Sequence, residues 1–181
     1  MADSFDYVII GAGSAGCILA NRLTADGKHT VCLLEAGPPD WNPYIHIPAG
    51  FIKTLTNPNI NWLYQSEPSH WTGGRSIDVP RGKTLGGSSS INGHIYNRGQ
   101  RMDFDSWSQR GNRNWGYSDV LPYFQRCEQR IGDADDLYRG REGNLKVTDL
   151  NYSHPLCEKF IEGAQQIGLP RNPDYNGKQQ E

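Results

Sequence analysis

Residues 5–16 read FDYVIIGAGSAG, a short run of aromatic and β-branched side chains that ends directly on Gly11-Ala12-Gly13-Ser14-Ala15-Gly16. Few short patterns constrain a fold as tightly, because each of the three glycines has its own mechanical task. Gly11 permits a tight turn out of a strand, Gly13 lets backbone approach a bound phosphate, and Gly16 lets the following helix pack closely on the sheet. Residues 5–10 therefore read as a buried parallel strand, and residues 14 to about 26 as a helix. Gly16, Ala20 and Leu23 fall on one face of that helix, and Gly27 stops it. Residues 30–35 (TVCLLE) form a second strand, closed by Ala36, Gly37, Pro38 and Pro39. Strand, helix and strand make a right-handed βαβ unit, so the fold class is α/β. The free amides and the positive end of the helix would face a phosphate. Glu35 lies 19 residues beyond Gly16, where a carboxylate can accept hydrogen bonds from ribose hydroxyls and repel a 2′-phosphate. The pattern predicts dinucleotide binding and disfavours NADP, whereas NAD and FAD both fit.

Composition narrows the class further. The 18 Lys+Arg against 20 Asp+Glu give a formal net charge of −2, which argues against binding nucleic acid through bulk positive charge. At 36% hydrophobic and 21% charged residues the chain lies outside the disordered class. No stretch approaches the roughly 18 apolar residues of a membrane span, and the first ten residues lack an export signal. The four cysteines show no CxxC and no zinc-finger spacing, so no metal is expected. Cys17 and Cys32 sit in apolar runs and are expected to be small buried hydrophobes. A reducing, cytoplasmic setting follows as the expectation. Glycine is the unusual number: 21 Gly with 11 Pro make up 32 of 181 residues, about 18% against roughly 12% in average usage. These glycines form no repeat and no low-complexity linker.

From residue 38 to about 82 the chain is irregular, and such a length without regular structure usually serves function. A second glycine cluster follows, Gly82-Lys83-Thr84-Leu85-Gly86-Gly87-Ser88-Ser89-Ser90-Ile91-Asn92-Gly93. It suits either a flexible loop or a segment lining a second ligand surface. The three serines predict N-capping of a helix that starts at Ile91-Asn92. A helix start there would stabilise the negative charge that an isoalloxazine ring gains near N1 and O2 on reduction. Helices are predicted over residues 102–109, 118–130 (with Pro122 in the first turn) and 155–167, and a strand over 144–148.

With both clusters in view, the chain resembles the glucose–methanol–choline (GMC) flavoprotein oxidoreductases, closest to bacterial choline-dehydrogenase-like alcohol dehydrogenases. Gly11–Gly16 with Glu35-Ala36-Gly37 is similar to their FAD fingerprint. Residues 82–105 (GKTLGGSSSINGHIYNRGQRMDFD) fit their first signature, and Asn61-Trp62, Ser66-Glu67-Pro68 and Asp105-Ser106-Trp107 also look familial. The resemblance implies an incomplete Rossmann-like βαβ FAD-binding domain of GMC type, with the start of a substrate or cap region. Residues 1–37 would carry the dinucleotide fingerprint, 38–100 the flavin-covering segment, and 101–181 the lead into the substrate domain. It further implies that Gly11, Gly13, Ser14, Ala15 and Gly16 hold the pyrophosphate and that Glu35, with Ala36 alongside, holds the adenosine ribose. Thr84 and Ser88 would flank the pyrophosphate–ribityl part, and Asn92, Gly93, His94 and Ile95 would run beside the flavin ring. Some members attach FAD covalently through a histidine where this chain has Ile91, so a non-covalent FAD is expected.

The family oxidises the CH–OH group of an alcohol by hydride transfer to flavin N5, with a C-terminal histidine and a second His or Asn taking the proton. Nothing here matches that segment and family chains are roughly three times longer. The expectation is an N-terminal portion with no catalytic residue of its own and no activity alone. Oxygen or a quinone would accept the electrons, and relatives of the alkanol type suggest peripheral association with the inner membrane as well as a cytoplasmic location. Three other readings stay open: an NAD-dependent dehydrogenase, which leaves the second cluster idle; a non-redox lyase of the same family that keeps FAD structurally; and a binding module alone. His94 is read as a backbone contact rather than a base, and His29, His46, His70 and His154 as ordinary histidines. The seven Lys/Arg between residues 75 and 113 are read as a solvated or salt-bridged face, and the aromatics between Trp41 and Trp71 as cofactor wall or core. The serines lack the G-x-S-x-G elbow of a serine hydrolase.

Overall fold

The structure is a computed structural model and describes residues 4–180. They divide after Ile95 into two compact units. In the first, β1 (Tyr7–Ile10), α1 (Ser14–Thr24) and β2 (Val31–Leu34) form the expected βαβ unit. The strands are parallel, with Tyr7 opposite Val31 and Ile10 opposite Leu34. The Gly11 amide adds one more rung by donating to the Leu34 carbonyl at 2.7 Å. Asp6 secures the open end, accepting from the Thr30 amide at 2.7 Å and its hydroxyl at 2.9 Å. The Thr30 backbone hydrogen bond, then its hydroxyl, holds the Asp6 carboxyl below its ordinary value. Gly27, at φ +69°, ends the helix turn as expected.

Two details of this unit differ from expectation. Only Ile9 of β1 is buried, while Val8 and Ile10 are 59% and 87% exposed, because α1 covers one face of a two-stranded sheet and, among the described residues of this unit, the other face is left open. Cys17 is exposed and Cys32 half-buried rather than core residues. Cys17 lies beside the buried Gly16, and its thiol donates to the Ala12 carbonyl at 3.2 Å.

Residues 38–82 are mostly irregular, broken by α2 (Pro43–His46), α3 (Phe51–Thr54) and an antiparallel pair, β3 (Tyr64–Gln65) with β4 (Asp78–Val79). Buried Asn61 organises the stretch: its Nδ2 donates to the Leu55 carbonyl, and its Oδ1 accepts from the Leu63 and Arg81 amides. A side-chain amide thereby replaces missing secondary structure as the partner of buried backbone groups. The aromatics here are not core. Trp41 and Trp71 are 82% and 92% exposed, and Trp62 stacks on Tyr64 with the Lys83 ammonium over its ring.

The second unit contains α4 (Arg101–Gln109), α5 (Tyr117–Cys127), β5 (Glu128–Arg130), β6 (Leu145–Val147) and α6 (Pro155–Gln166). Phe104 packs edge-on against Trp107 and Phe124 and tilted against Tyr117, giving the α4–α5 core. Burial raises the Tyr117 phenol pKa, against the opposing effect of Arg98 and Arg101. The helix predicted over 118–130 stops at Cys127, because Glu128–Arg130 turns into a strand parallel to Leu145–Val147. Pro122 falls in the second turn of α5 rather than the first.

The break coincides with a buried ion-pair network. The Glu128 side chain is fully buried and takes hydrogen bonds from Arg98, Arg139 and the Gly140 amide. Arg139 also pairs with Asp174 at 2.6 Å. Burial alone would lower the Arg139 pKa, but its hydrogen bonds to Glu128 and Asp174 outweigh burial and raise it. Arg98, expected on a solvated or salt-bridged face, is salt-bridged to Glu128, but inside the fold, with a side chain only 1% exposed.

Candidate functional site

The first glycine turn is built as its spacing demands. Gly11 adopts φ +98°, a conformation L side chains rarely take. A Cβ on Gly16 would lie 2.0 Å from the Gly11 carbonyl oxygen, so the first turn of α1 sits against the turn with no space for a side chain. Gly13 is the N-cap residue of α1 and no side chain caps the helix. Ser14 and Ala15 are exposed beside it. An uncapped helix start beside a glycine turn is suited to an anion, since the first amides have no intrahelical partner.

Glu35 is where the sequence placed it, just past β2, and its carboxylate is already engaged. One oxygen accepts from the Ala12 amide at 2.8 Å and the other from the Gly37 amide at 3.0 Å. Ala36, between them in sequence, is exposed.

The second cluster packs directly on the first. The Gly86 amide donates to the Ala12 carbonyl at 2.8 Å. Gly87, at φ +55°, approaches so closely that a Cβ there would lie 2.9 Å from the Gly13 Cα. The Ser14 hydroxyl donates to the Ser89 hydroxyl at 3.2 Å, which donates in turn to the Gly86 carbonyl at 2.6 Å. The fully buried Thr84 donates through its hydroxyl to the Pro38 carbonyl at 2.8 Å, and the Ser88 hydroxyl accepts from the Gly82 amide at 3.1 Å. A Cβ on Gly37 would meet the Lys83 carbonyl oxygen at 1.9 Å. The glycine-rich stretches thus meet backbone to backbone, at separations only glycine allows.

The helix expected to start at Ile91-Asn92 is absent. The serines form a single 3-10 turn, Gly87–Ser90, and residues 91–100 contain no regular element. The hydroxyls of Ser89 and Ser90 donate backward, to the Gly86 and Leu85 carbonyls, instead of capping a helix ahead of them. The helix N-terminus expected beside a flavin is therefore not part of this chain. In its place Asn92 makes a tight turn, its side-chain oxygen accepting from the His94 amide at 3.0 Å. His94 sits at φ +59° with its ring edge-on to Phe51. Asn92, Gly93, His94 and Ile95 are all exposed, whereas Ile91 is 2% exposed.

Of the residues singled out from sequence, Gly11, Gly13, Ser14, Glu35 and Ser88 gather around the meeting of the two clusters, with Thr84 as a buried brace. Asn92 to Ile95 extend from its end. Ser89 and Gly37 were not singled out as contacts. Gly37 has a signal in the Ala-Gly-Pro-Pro turn, whereas Ser89 is indistinguishable in sequence from the serines on either side. The other histidines make ordinary contacts: His29 packs edge-on to Tyr7, His46 meets the Asp40 carbonyl, His70 packs against Trp71, and His154 accepts from the Leu156 amide at the start of α6. Among the described residues, no group of three or more His, Cys, Asp or Glu could hold a metal, and no helix is long and apolar enough to cross a membrane.

The chain is similar along nearly its whole length to known proteins. The chain is 44% identical over 177 residues to an alcohol dehydrogenase [acceptor] of Pseudomonas putida, covering 98% of this chain and 32% of that one. It is 47% identical to an oxygen-dependent choline dehydrogenase of Brucella ovis, covering 97% and 32%. Among solved structures it superposes on pyridoxine 4-oxidase from Mesorbium loti with a TM-score of 0.87 at 36% identity, covering 96% of this chain and 34% of that one. The chain therefore spans about a third of the length of these relatives. The family model described as GMC oxidoreductase matches residues 5–181, and this chain belongs to that family.

Proposed function

We propose that the full-length protein is an FAD-dependent oxidoreductase acting on the CH–OH group of an alcohol, and that this chain supplies the surface that grips the cofactor. The observation that carries the reading is the approach of Gly87 to Gly13, where a Cβ would stand 2.9 Å from backbone. It packs the second glycine cluster against the uncapped start of α1, whose free first amides suit a pyrophosphate. An NAD-only site would need the first turn alone and would leave this junction without a purpose.

Each residue then has a task. Gly11, Gly13, Ser14, Ala15 and Gly16 would hold the pyrophosphate, Gly11 by shaping the turn while its amide stays on Leu34, the others through backbone amides and the Ser14 hydroxyl. Glu35 would accept the adenosine ribose hydroxyls, with Ala36 leaving room beside it. Ser88 would flank the ribityl side, and Thr84 would act from within by keeping that segment fixed on Pro38. Asn92, Gly93, His94 and Ile95 would run along the ring. FAD bound there supplies the hydride acceptor for the alcohol carbon. On this reading residues 1–37 serve the ribose and pyrophosphate, 38–100 cover the flavin, and 101–181 lead toward the substrate domain. Proton removal and the choice of alcohol fall to residues outside this chain, and oxygen or a quinone would take the electrons. The four cysteines are all free thiols, which suits a reducing, cytoplasmic setting, at the inner membrane surface or away from it.

The test is anaerobic mixing of the purified full-length protein with choline and a series of primary alkanols. Loss of the visible flavin absorption with at least one of them is expected. A protein that purifies without flavin, or whose flavin no alcohol bleaches, would sink the proposal, and the second result would point to a non-redox relative.

A second prediction concerns attachment. Ile91 carries no nucleophile and its side chain is buried, so all flavin absorbance should appear in the supernatant after acid precipitation. Flavin retained in the pellet would contradict it.

A further inference from the structure

We propose that Glu35 is a positioning residue for the phosphate turn and for the turn after β2, in addition to any contact it makes with ribose. The inference rests on the dinucleotide reading above but comes from a separate observation. Both carboxylate oxygens are occupied by backbone donors of this chain, Ala12 N–H at 2.8 Å and Gly37 N–H at 3.0 Å.

Those two amides belong to the two places where the site is tightest. Ala12 is fully buried between Gly11 and Gly13, and its carbonyl accepts from Gly86 at 2.8 Å. Gly37 lies against the Lys83–Thr84 peptide with no room for a Cβ, and its neighbour Pro38 accepts from Thr84 and Leu85. One carboxylate therefore ties the phosphate turn to the turn after β2, and each of these turns holds one part of the second cluster. Removing it frees both at once.

The stoichiometry of acceptors makes the two tasks compatible. An ionised carboxylate offers about four lone-pair sites. The two amides take one on each oxygen, which leaves one on each for a pair of ribose hydroxyls. A glutamine at this position has one oxygen and an NH2 group, so it can satisfy one amide but must turn a donor toward the other. Adenosine recognition is thus built onto the same group that shapes the pyrophosphate turn, and its loss should be felt by ligands that carry no ribose hydroxyl at all.

The experiment uses deflavinated full-length protein, wild type and Glu35→Gln. It is titrated with FAD and with an FAD analogue whose adenosine ribose lacks its 2′ and 3′ hydroxyls. If Glu35 positions the turns, Glu35→Gln binds the analogue about tenfold or more weakly than wild type does. Site-resolved amide exchange of the cofactor-free protein then shows Ala12 and Gly37 exchanging faster in the variant, while the Val31–Leu34 ladder keeps its protection. A general loss of stability would instead speed all of them. Equal affinity of wild type and variant for the analogue, with weakening confined to FAD, would overturn the proposal and leave Glu35 as a ribose ligand only. Failure of wild type to bind either dinucleotide would refute the dinucleotide reading, and the exchange rates of Ala12 and Gly37 would still decide the positioning role. Should Glu35→Gln not fold, wild-type exchange decides alone: protection of both amides comparable to the ladder supports the latch, and free exchange of both rejects it.

Discussion

Gly16→Ala should leave the full-length protein without bound flavin. The added Cβ would stand 2.0 Å from the Gly11 carbonyl oxygen and 3.3 Å from the Ile9 side chain. The first of these contacts is with backbone, which cannot rotate away as a side chain can. Gly11 is itself held at φ +98° and hydrogen-bonded to Leu34. Relief must therefore come from α1 moving off the sheet, which carries Ser14 and the helix amides away from Ser89 and the second cluster. Overpacking of this kind costs about 3 kcal/mol, or roughly a hundredfold in affinity if it falls on the bound state. Flavin content on purification and titration with FAD measure it. Gly13→Ala provides the contrast, because a Cβ there meets no other part of the protein within 4 Å. It should fold like wild type and show its defect only on binding. A flavin-replete Gly16→Ala protein with wild-type affinity would contradict the proposed role of the turn.

The second large effect lies in the other unit, at Glu128. Glu128→Ala should destabilise the protein by about 3–5 kcal/mol, the range seen when one member of a buried ion pair is removed. Two guanidinium groups, Arg98 and Arg139, lose a partner while their side chains remain 1% and 3% exposed. Arg98 keeps the Tyr138 carbonyl and Arg139 keeps Asp174, so the loss is partial for each. The decisive comparison is the triple replacement Arg98→Met, Glu128→Leu, Arg139→Met. Because desolvation offsets much of the attraction in a buried network, the triple variant should be less destabilised than Glu128→Ala alone. Chemical denaturation of the full-length protein measures both. A single variant within about 0.5 kcal/mol of wild type, as for an ordinary surface change, would show that water reaches these arginines.

The two cases also separate what could be read in the chain from what could not. The Gly16 constraint is written within twelve residues, because strand, turn and helix follow one another and each glycine is demanded by local backbone sterics. The βαβ unit, the stop at Gly27 and the start of α6 at Pro155 were legible for the same reason. The serine triplet misled for a related one. Hydroxyls can bond forward as caps or backward to preceding carbonyls, both options are local, and the packing of Gly87 on Gly13 selects the second. The expected helix beyond Ile91 was lost with it. The strand at Glu128–Arg130 was hidden because residues 117–130 carry helix-compatible spacing, while its strand partner, Leu145–Val147, and the two arginines on Glu128 are distant in sequence.

What the sequence determined by itself is the chemistry on offer: a dinucleotide-type turn, an acid at the end of the second strand, a second glycine cluster about 70 residues later, and the family these belong to. Their spacing is a covalent property of the chain and survives without any knowledge of packing. The tertiary structure alone decided which groups meet. It set Glu35 against Ala12, 23 residues away, Thr84 against Pro38, 46 away, and Arg98 against Glu128, 30 away. No local pattern encodes such pairs, since a glutamate that bridges two amides and one that faces water are written with the same letter. The difference arises only when burial removes water as the competing partner, and burial is a property of the folded whole.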